Sequence, residues 1–110
     1  MIIPFSENAS VDIRKLTDYC LNPQHVQGKH KAYLFAEILN ITEKDAYRLK
    51  EILLDIVKIH DAVPGLCDEY GQRYLIDFQL QWENRQAMVR SGWILEPDSN
   101  IPKLTTCFIL

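Results

Sequence analysis

Gln72-Arg73-Tyr74-Leu75-Ile76-Asp77-Phe78-Gln79-Leu80-Gln81-Trp82 is the stretch that decides the fold. Tyr74, Ile76, Phe78, Leu80 and Trp82 fall at every second position, with Asp77, Gln79 and Gln81 between them. Successive side chains of an extended strand point to opposite faces, so this pattern predicts a strand with one buried face and one wet face. Glu83-Asn84 supplies a tight connection, and Arg85 to Leu95 continues the pattern with Ala87, Val89, Trp93 and Leu95 on one face. A connection that short makes the two strands antiparallel neighbours. Glu96 to Pro102 reads as a turn region, and Lys103 to Leu110 as a closing strand with Leu104, Thr106, Phe108 and Leu110 in register. A shorter first strand fits Val63 to Asp68, with Tyr70-Gly71 as its turn.

Upstream of this half the period changes from two to nearly four. Ala46, Leu49, Leu53, Ile56 and His60 make one stripe, widened by Ile52 and Ile59, and predict a helix from Thr42 to about His60. Thr42 is its N-cap and Asp45 stands where a capping box needs an acceptor. Pro64 and Gly65 lie beyond its end. A second helix fits Lys29 to Leu39, with Ala32, Phe35, Ala36 and Leu39 on one face. The first helix fits Val11 to Leu21, with Ser10 as N-cap, Ile13, Leu16 and Cys20 on one face, and Asn22-Pro23 as the stop. The expected architecture is α+β, with three N-terminal helices packed on one face of a three- to four-stranded antiparallel meander. Residues 1–110 are expected to form one domain, helical from about 10 to 60 and β from 63 to 110.

The chain is 47% hydrophobic and 25% charged, which excludes wholesale disorder. Its 12 basic and 15 acidic side chains argue against a wholly basic nucleic-acid binder and leave room only for a local basic patch. Cys20, Cys67 and Cys107 are odd in number and widely spaced, so neither a disulfide framework nor a zinc finger is expected. No metal or cofactor is implied, and reduced, mostly buried thiols suit a cytoplasmic protein. The apolar run Ile52 to Ile59 is broken by Asp55 and Lys58, far short of the roughly 20 apolar residues of a membrane span.

With helices on one sheet face, the other face is the place to look for chemistry. By parity it carries Asp77, Gln79, Arg90, Thr105 and Cys107, unless a bulge flips the assignment, for which Gly92 is a natural position. Gly28-Lys29-His30-Lys31 puts two lysines and a histidine at a helix start, where lysines can hold a phosphate and His30 can move a proton; a solvated helix start is the plainer reading. Arg90 in mid-strand either pairs with Asp77 on the neighbouring strand or offers its fork to a phosphate or carboxylate. Of Thr105 and Thr106 only one can face the open side. His25 is a weaker candidate base than His30, and His60 suits a helix C-terminus.

Asp18-Tyr19-Cys20-Leu21-Asn22-Pro23, Gly28-Lys29-His30-Lys31-Ala32 with Phe35, Tyr70-Gly71-Gln72-Arg73-Tyr74, Arg90-Ser91-Gly92-Trp93-Ile94 and Leu104-Thr105-Thr106-Cys107 resemble a small bacterial domain family of unknown function. Members of that family stand alone, and similar domains end large secreted polymorphic toxins. The order of elements is also similar to the metal-independent ribonucleases and toxins that include barnase, colicin nuclease domains and RelE-type interferases. That similarity implies RNA cleavage, with His30, Lys31, Arg90 and Thr106 as catalytic residues and Lys29 and Thr105 on the phosphate. The acidic balance and the lack of an obvious strand glutamate as base depart from that group.

Two functions follow. One is a metal-independent endoribonuclease of toxin type, acting by general acid/base chemistry on RNA. The other is a non-catalytic interaction module, immunity- or antitoxin-associated, bound to a cognate partner protein or to a second copy of itself. Cys107-Phe108-Ile109-Leu110 is too apolar to stand exposed, so the last strand is either central in the sheet or covered by a subunit. Catalysis requires Lys31, His30 and Arg90 to converge on one pocket. Binding alone predicts scattered basic residues and Arg90 closed onto Asp77.

Overall fold

The structure is a computed structural model describing residues 1–110. Helix α1 starts at Ile13–Lys15 and continues as a wider π-helical turn, Leu16–Cys20. Its N-cap is Asp12, whose carboxylate accepts the Arg14 backbone N–H at 3.0 Å, and not Ser10. Ser10 is spent elsewhere: it forms a parallel bridge to Lys103, its N–H donating to the Pro102 carbonyl at 2.8 Å. Helix α2 has the same build, Lys29–Leu34 followed by a π turn, Phe35–Leu39, and ends at Asn40 in the left-handed region. A short 3-10 turn, Glu43–Asp45, leads into α3, Ala46–Ile59. The expected cap is present there, with the Asp45 carboxylate accepting the Thr42 N–H at 3.0 Å.

The buried face of α3 is Ala46, Leu49, Leu53 and Val57. Ile59, expected to widen that stripe, is exposed, because the helix ends there and the chain turns into the sheet at His60. Ala36, expected on the buried face of α2, is also exposed. The π turn shifts the helical angle at that point, so Ala32, Phe35 and Leu39 are the buried residues of α2.

Strands β1 (Val63–Asp68), β2 (Gly71–Trp82), β3 (Arg85–Leu95) and β4 (Lys103–Ile109) form one antiparallel meander in the order β1-β2-β3-β4. The helices cover one face. Leu16, Cys20, Phe35, Leu39, Leu49, Leu53 and Val57 meet Ile76, Phe78, Val89, Trp93 and Cys107 in a single core. Each large apolar side chain fully buried there stabilises the fold by about 1.5–3 kcal/mol. Ser91 is the polar member of that face, and its needs are met internally. Its Oγ donates to the Ile76 carbonyl at 3.2 Å and accepts the Trp93 indole N–H at 2.9 Å.

The β2–β3 hairpin pairs without a slip from Gln72↔Leu95 to Trp82↔Arg85. The β3–β4 ladder does slip: Gly92 faces Thr106 while Trp93 faces Leu104, leaving Thr105 as the extra residue of a β-bulge in β4. Simple parity therefore fails in β4. Leu104, Cys107 and Ile109 are buried, whereas Thr106 and Phe108 share the row parity of Gly92 and Arg90 on the other face, with the Thr106 hydroxyl itself covered. Cys107, expected on the open face, is thus a core residue. β4 is an edge strand: of its closing apolar residues Cys107 and Ile109 turn into the chain's own core, while Phe108 is half-buried on the other row and Leu110 is exposed.

Candidate functional site

Near the bulge the first π turn, the loop that follows it, the start of α2 and the sheet edge meet. Gly28 makes that junction possible: a Cβ there would lie 2.3 Å from the Tyr19 carbonyl oxygen, so only glycine lets the start of α2 lie against the end of α1. Within the loop, His25 Nδ1 accepts the backbone N–H groups of Gln27 at 3.0 Å and Gly28 at 2.9 Å. An Nδ1 that accepts leaves the neutral ring's proton on Nε2, which is then a fixed donor. The ring stands edge-on to Tyr19, with centroids 5.0 Å apart.

Lys31 is the cation of this junction. Its ammonium donates to the Tyr19 hydroxyl and sits 4.7 Å from the Tyr19 ring centroid and 5.5 Å from that of Phe108 on β4. Thr105, pushed out by the bulge, lines an open groove of about 660 Å³ together with Tyr19, His25, Gln27, Asp18 and the first turn of α1. In that first turn Asp12 and Arg14 close on each other at 2.7 Å, and the pairing holds the Asp12 carboxyl down to about 2. Thr106 differs from its neighbour. Its Oγ1 is shut off from water with no hydrogen-bond partner, next to the Cys20 thiol. Burial raises the Cys20 thiol, and raises that of Cys107 well above the ordinary range, so neither supplies a thiolate at neutral pH. Thr105 therefore provides the accessible hydroxyl of the pair.

The sequence-predicted residues divide. Lys31, Thr105 and Thr106 gather at the bulge. Arg90 stands beside Phe108 through strand pairing, but its guanidinium is engaged by Asp77 in two bonds of 2.8 and 2.9 Å. That pairing lowers the Asp77 carboxyl and raises Arg90. The side chains are 36% and 34% exposed, so a competing anion in solution meets only a weak lock. Lys29 and His30 go elsewhere. They line a separate, mostly apolar cavity of about 430 Å³ with Leu21, Tyr33, Ala36 and Glu43. The reason is helical geometry: at about 100° per residue, Lys29 and Lys31 point to opposite sides of α2. The convergence of Lys31, His30 and Arg90 on one pocket is not what the structure presents.

Tyr19 and Phe108 also stand at this junction beside Lys31, and neither is among the sequence-predicted candidates. Tyr19 lies off the apolar stripe of α1 and so was legible as a solvent-side aromatic, whereas Phe108 reaches the open face only through the bulge. No group of three His, Cys, Asp or Glu side chains is placed to hold a metal ion, and no helix is long and apolar enough to cross a membrane.

Fold and site together define an α+β domain whose polar junction lies between paired N-terminal helices and a bulged edge strand. The chain belongs to the DUF6883 family, described as a domain of unknown function, whose model matches residues 3–110. No curated protein matches the sequence. Among solved structures, the chain is similar to one from a contact-dependent growth inhibition toxin–immunity protein complex of Klebsiella pneumoniae 342. The TM-score is 0.70 at 13% identity, over 96% of this chain and 96% of that one, so the likeness is one of fold.

Proposed function

We propose that this chain is a toxin-type domain of a toxin–immunity pair that cleaves RNA without a metal, through the junction at the β4 bulge. The observation that carries the reading is an open polar groove lined by Lys15, Tyr19, His25 and Thr105, with the Lys31 ammonium reaching the Tyr19 hydroxyl at its margin. Cleavage by the neighbouring 2′-hydroxyl needs charge neutralised on the phosphorane, a proton accepted from that hydroxyl and a proton given to the departing 5′-oxygen. In this reading the Lys31 ammonium neutralises the phosphorane. The Thr105 hydroxyl and the His25 Nε2–H orient its oxygens. The Asp18 carboxylate takes the 2′ proton and the Tyr19 hydroxyl protonates the 5′-oxygen, with Lys31 stabilising the phenolate. Arg90 joins as a second phosphate ligand once released from Asp77. His30 and Lys29, in the separate cavity, have no step here. The fold shared with a chain of a toxin–immunity complex supports this reading and a cognate protein partner with it.

A second reading has its own support. Arg90 closed onto Asp77, with Lys29 and His30 turned away, is the arrangement expected of a non-catalytic member of such a pair. The deciding experiment is a gel assay on total RNA and tRNA in EDTA. The proposed toxin cuts RNA, and Lys31→Ala lowers the rate by about 100-fold or more while leaving the fold intact. Folded wild-type protein that leaves RNA whole makes the chain the non-catalytic partner.

A further inference from the structure

Phe108 is the one aromatic side chain that β4 presents on the row of the open face, and the bulge alone puts it there. On one side its ring has the Lys31 ammonium at 5.5 Å. Across the ladder its direct partner is Arg90. The ring is half-buried, so it is held in place while retaining an accessible part. Gly92 and Leu75 share the adjoining row; Gly92 adds no side chain, and Leu75 presents an exposed apolar side chain there.

An aromatic ring with one ammonium at 5.5 Å, and an arginine paired to it across the ladder that reaches the ring only when released from Asp77, has a general chemical meaning. Bases offer a π face whatever their identity, and the phosphates on either side of a base offer charge. The π face is available only when the base is unstacked from its neighbours, which a duplex does not allow without melting. We infer that Phe108 is a stacking platform for an unpaired base, so that the site takes single-stranded RNA, with Lys31 and Arg90 on the phosphates that flank that base. The inference rests on the RNA reading above and specifies its substrate class.

The probe is a fluorescein-labelled eight-nucleotide 2′-fluoro RNA, which has no 2′-hydroxyl and so binds without being cut. It is titrated by anisotropy as a single strand and as an annealed duplex, at low salt. The single strand should bind about tenfold or more tighter than the duplex. Phe108→Leu should weaken single-strand binding by about tenfold, and Phe108→Trp should retain it. Thermal melts of both variants separate loss of the platform from loss of the fold. Equal binding of duplex and single strand, or a folded Phe108→Leu that binds like wild type, overturns the inference. Ordinary RNA assayed in parallel reads the function separately. Cutting with no Phe108 effect sinks the platform alone, and a preserved single-strand preference with no cutting sinks catalysis alone.

Discussion

The β2–β3 hairpin and the β3–β4 ladder are built from similar sequence and serve different ends. In the hairpin every pair from Gln72↔Leu95 to Trp82↔Arg85 stays in step, so alternation in sequence becomes alternation of faces in space. In the second ladder one extra residue, Thr105, breaks the step. Upstream of it Leu104 faces the core; downstream Cys107 and Ile109 do, and Thr106 and Phe108 are delivered to the other row. The regular ladder builds the platform of the core. The irregular one re-aims side chains toward the helices and assembles the polar junction, a common service of bulges near functional sites.

The largest test of that contrast is in the regular ladder. Trp93 is fully buried, with its indole N–H on Ser91. Trp93→Ala should cost about 3–5 kcal/mol in urea unfolding, the usual price for a buried aromatic. A cost below about 1 kcal/mol would mean the ladder is not the fold's foundation. Next comes the bulge. A Cβ on Gly92 would stand 3.0 Å from both Thr105 Oγ1 and Thr106 Cγ2. Gly92→Val should therefore cost about 1–3 kcal/mol through overpacking, although valine favours strands. A stabilised variant would place the bulge elsewhere.

The slip can be read directly from thiol chemistry. With Cys20 and Cys107 buried and Cys67 exposed, a disulfide reagent at neutral pH should label Cys67 quickly and the other two only on unfolding. Rapid labelling of Cys107 in the native state would restore simple parity to β4. The smallest effect concerns Asp77. Its carboxyl is lower in the folded state than in the unfolded chain, through hydrogen bonding and charge from Arg90. Its contribution is thus complete above the unfolded value of about 3.9 and disappears as pH falls through the lower folded value. The difference in melting temperature between wild type and Asp77→Asn should be constant from pH 5 to 8, small because the pair is exposed, and absent in stronger acid. A difference that grows on acidification would contradict the pairing.

Periodicity laid open most of the architecture. It placed α2 and α3, the strands and their order, because one face of each is buried and each element has its own period. Single positions escaped it where a tertiary contact intervened. Ser10 has the chemistry of an N-cap, yet its backbone is claimed by β4, and Asp12 caps α1 instead. Lys29, His30 and Lys31 are adjacent in the chain, yet α2 sends Lys29 and His30 into one cavity and Lys31 onto Tyr19. The threonine pair was visible as a candidate, but which hydroxyl is accessible depended on the bulge.

The sequence by itself determined the α+β class, the meander, the strand limits and the possibility of a bulge near Gly92, since these follow from local hydrophobic spacing and turn chemistry. Only the tertiary structure decided that the extra residue is Thr105, that Cys107 turns inward and Phe108 outward, that Lys31 meets Tyr19 and that Arg90 closes on Asp77. Register between neighbouring strands and the meeting of helix ends with a sheet edge are set by the fit of the whole core, which no local pattern encodes.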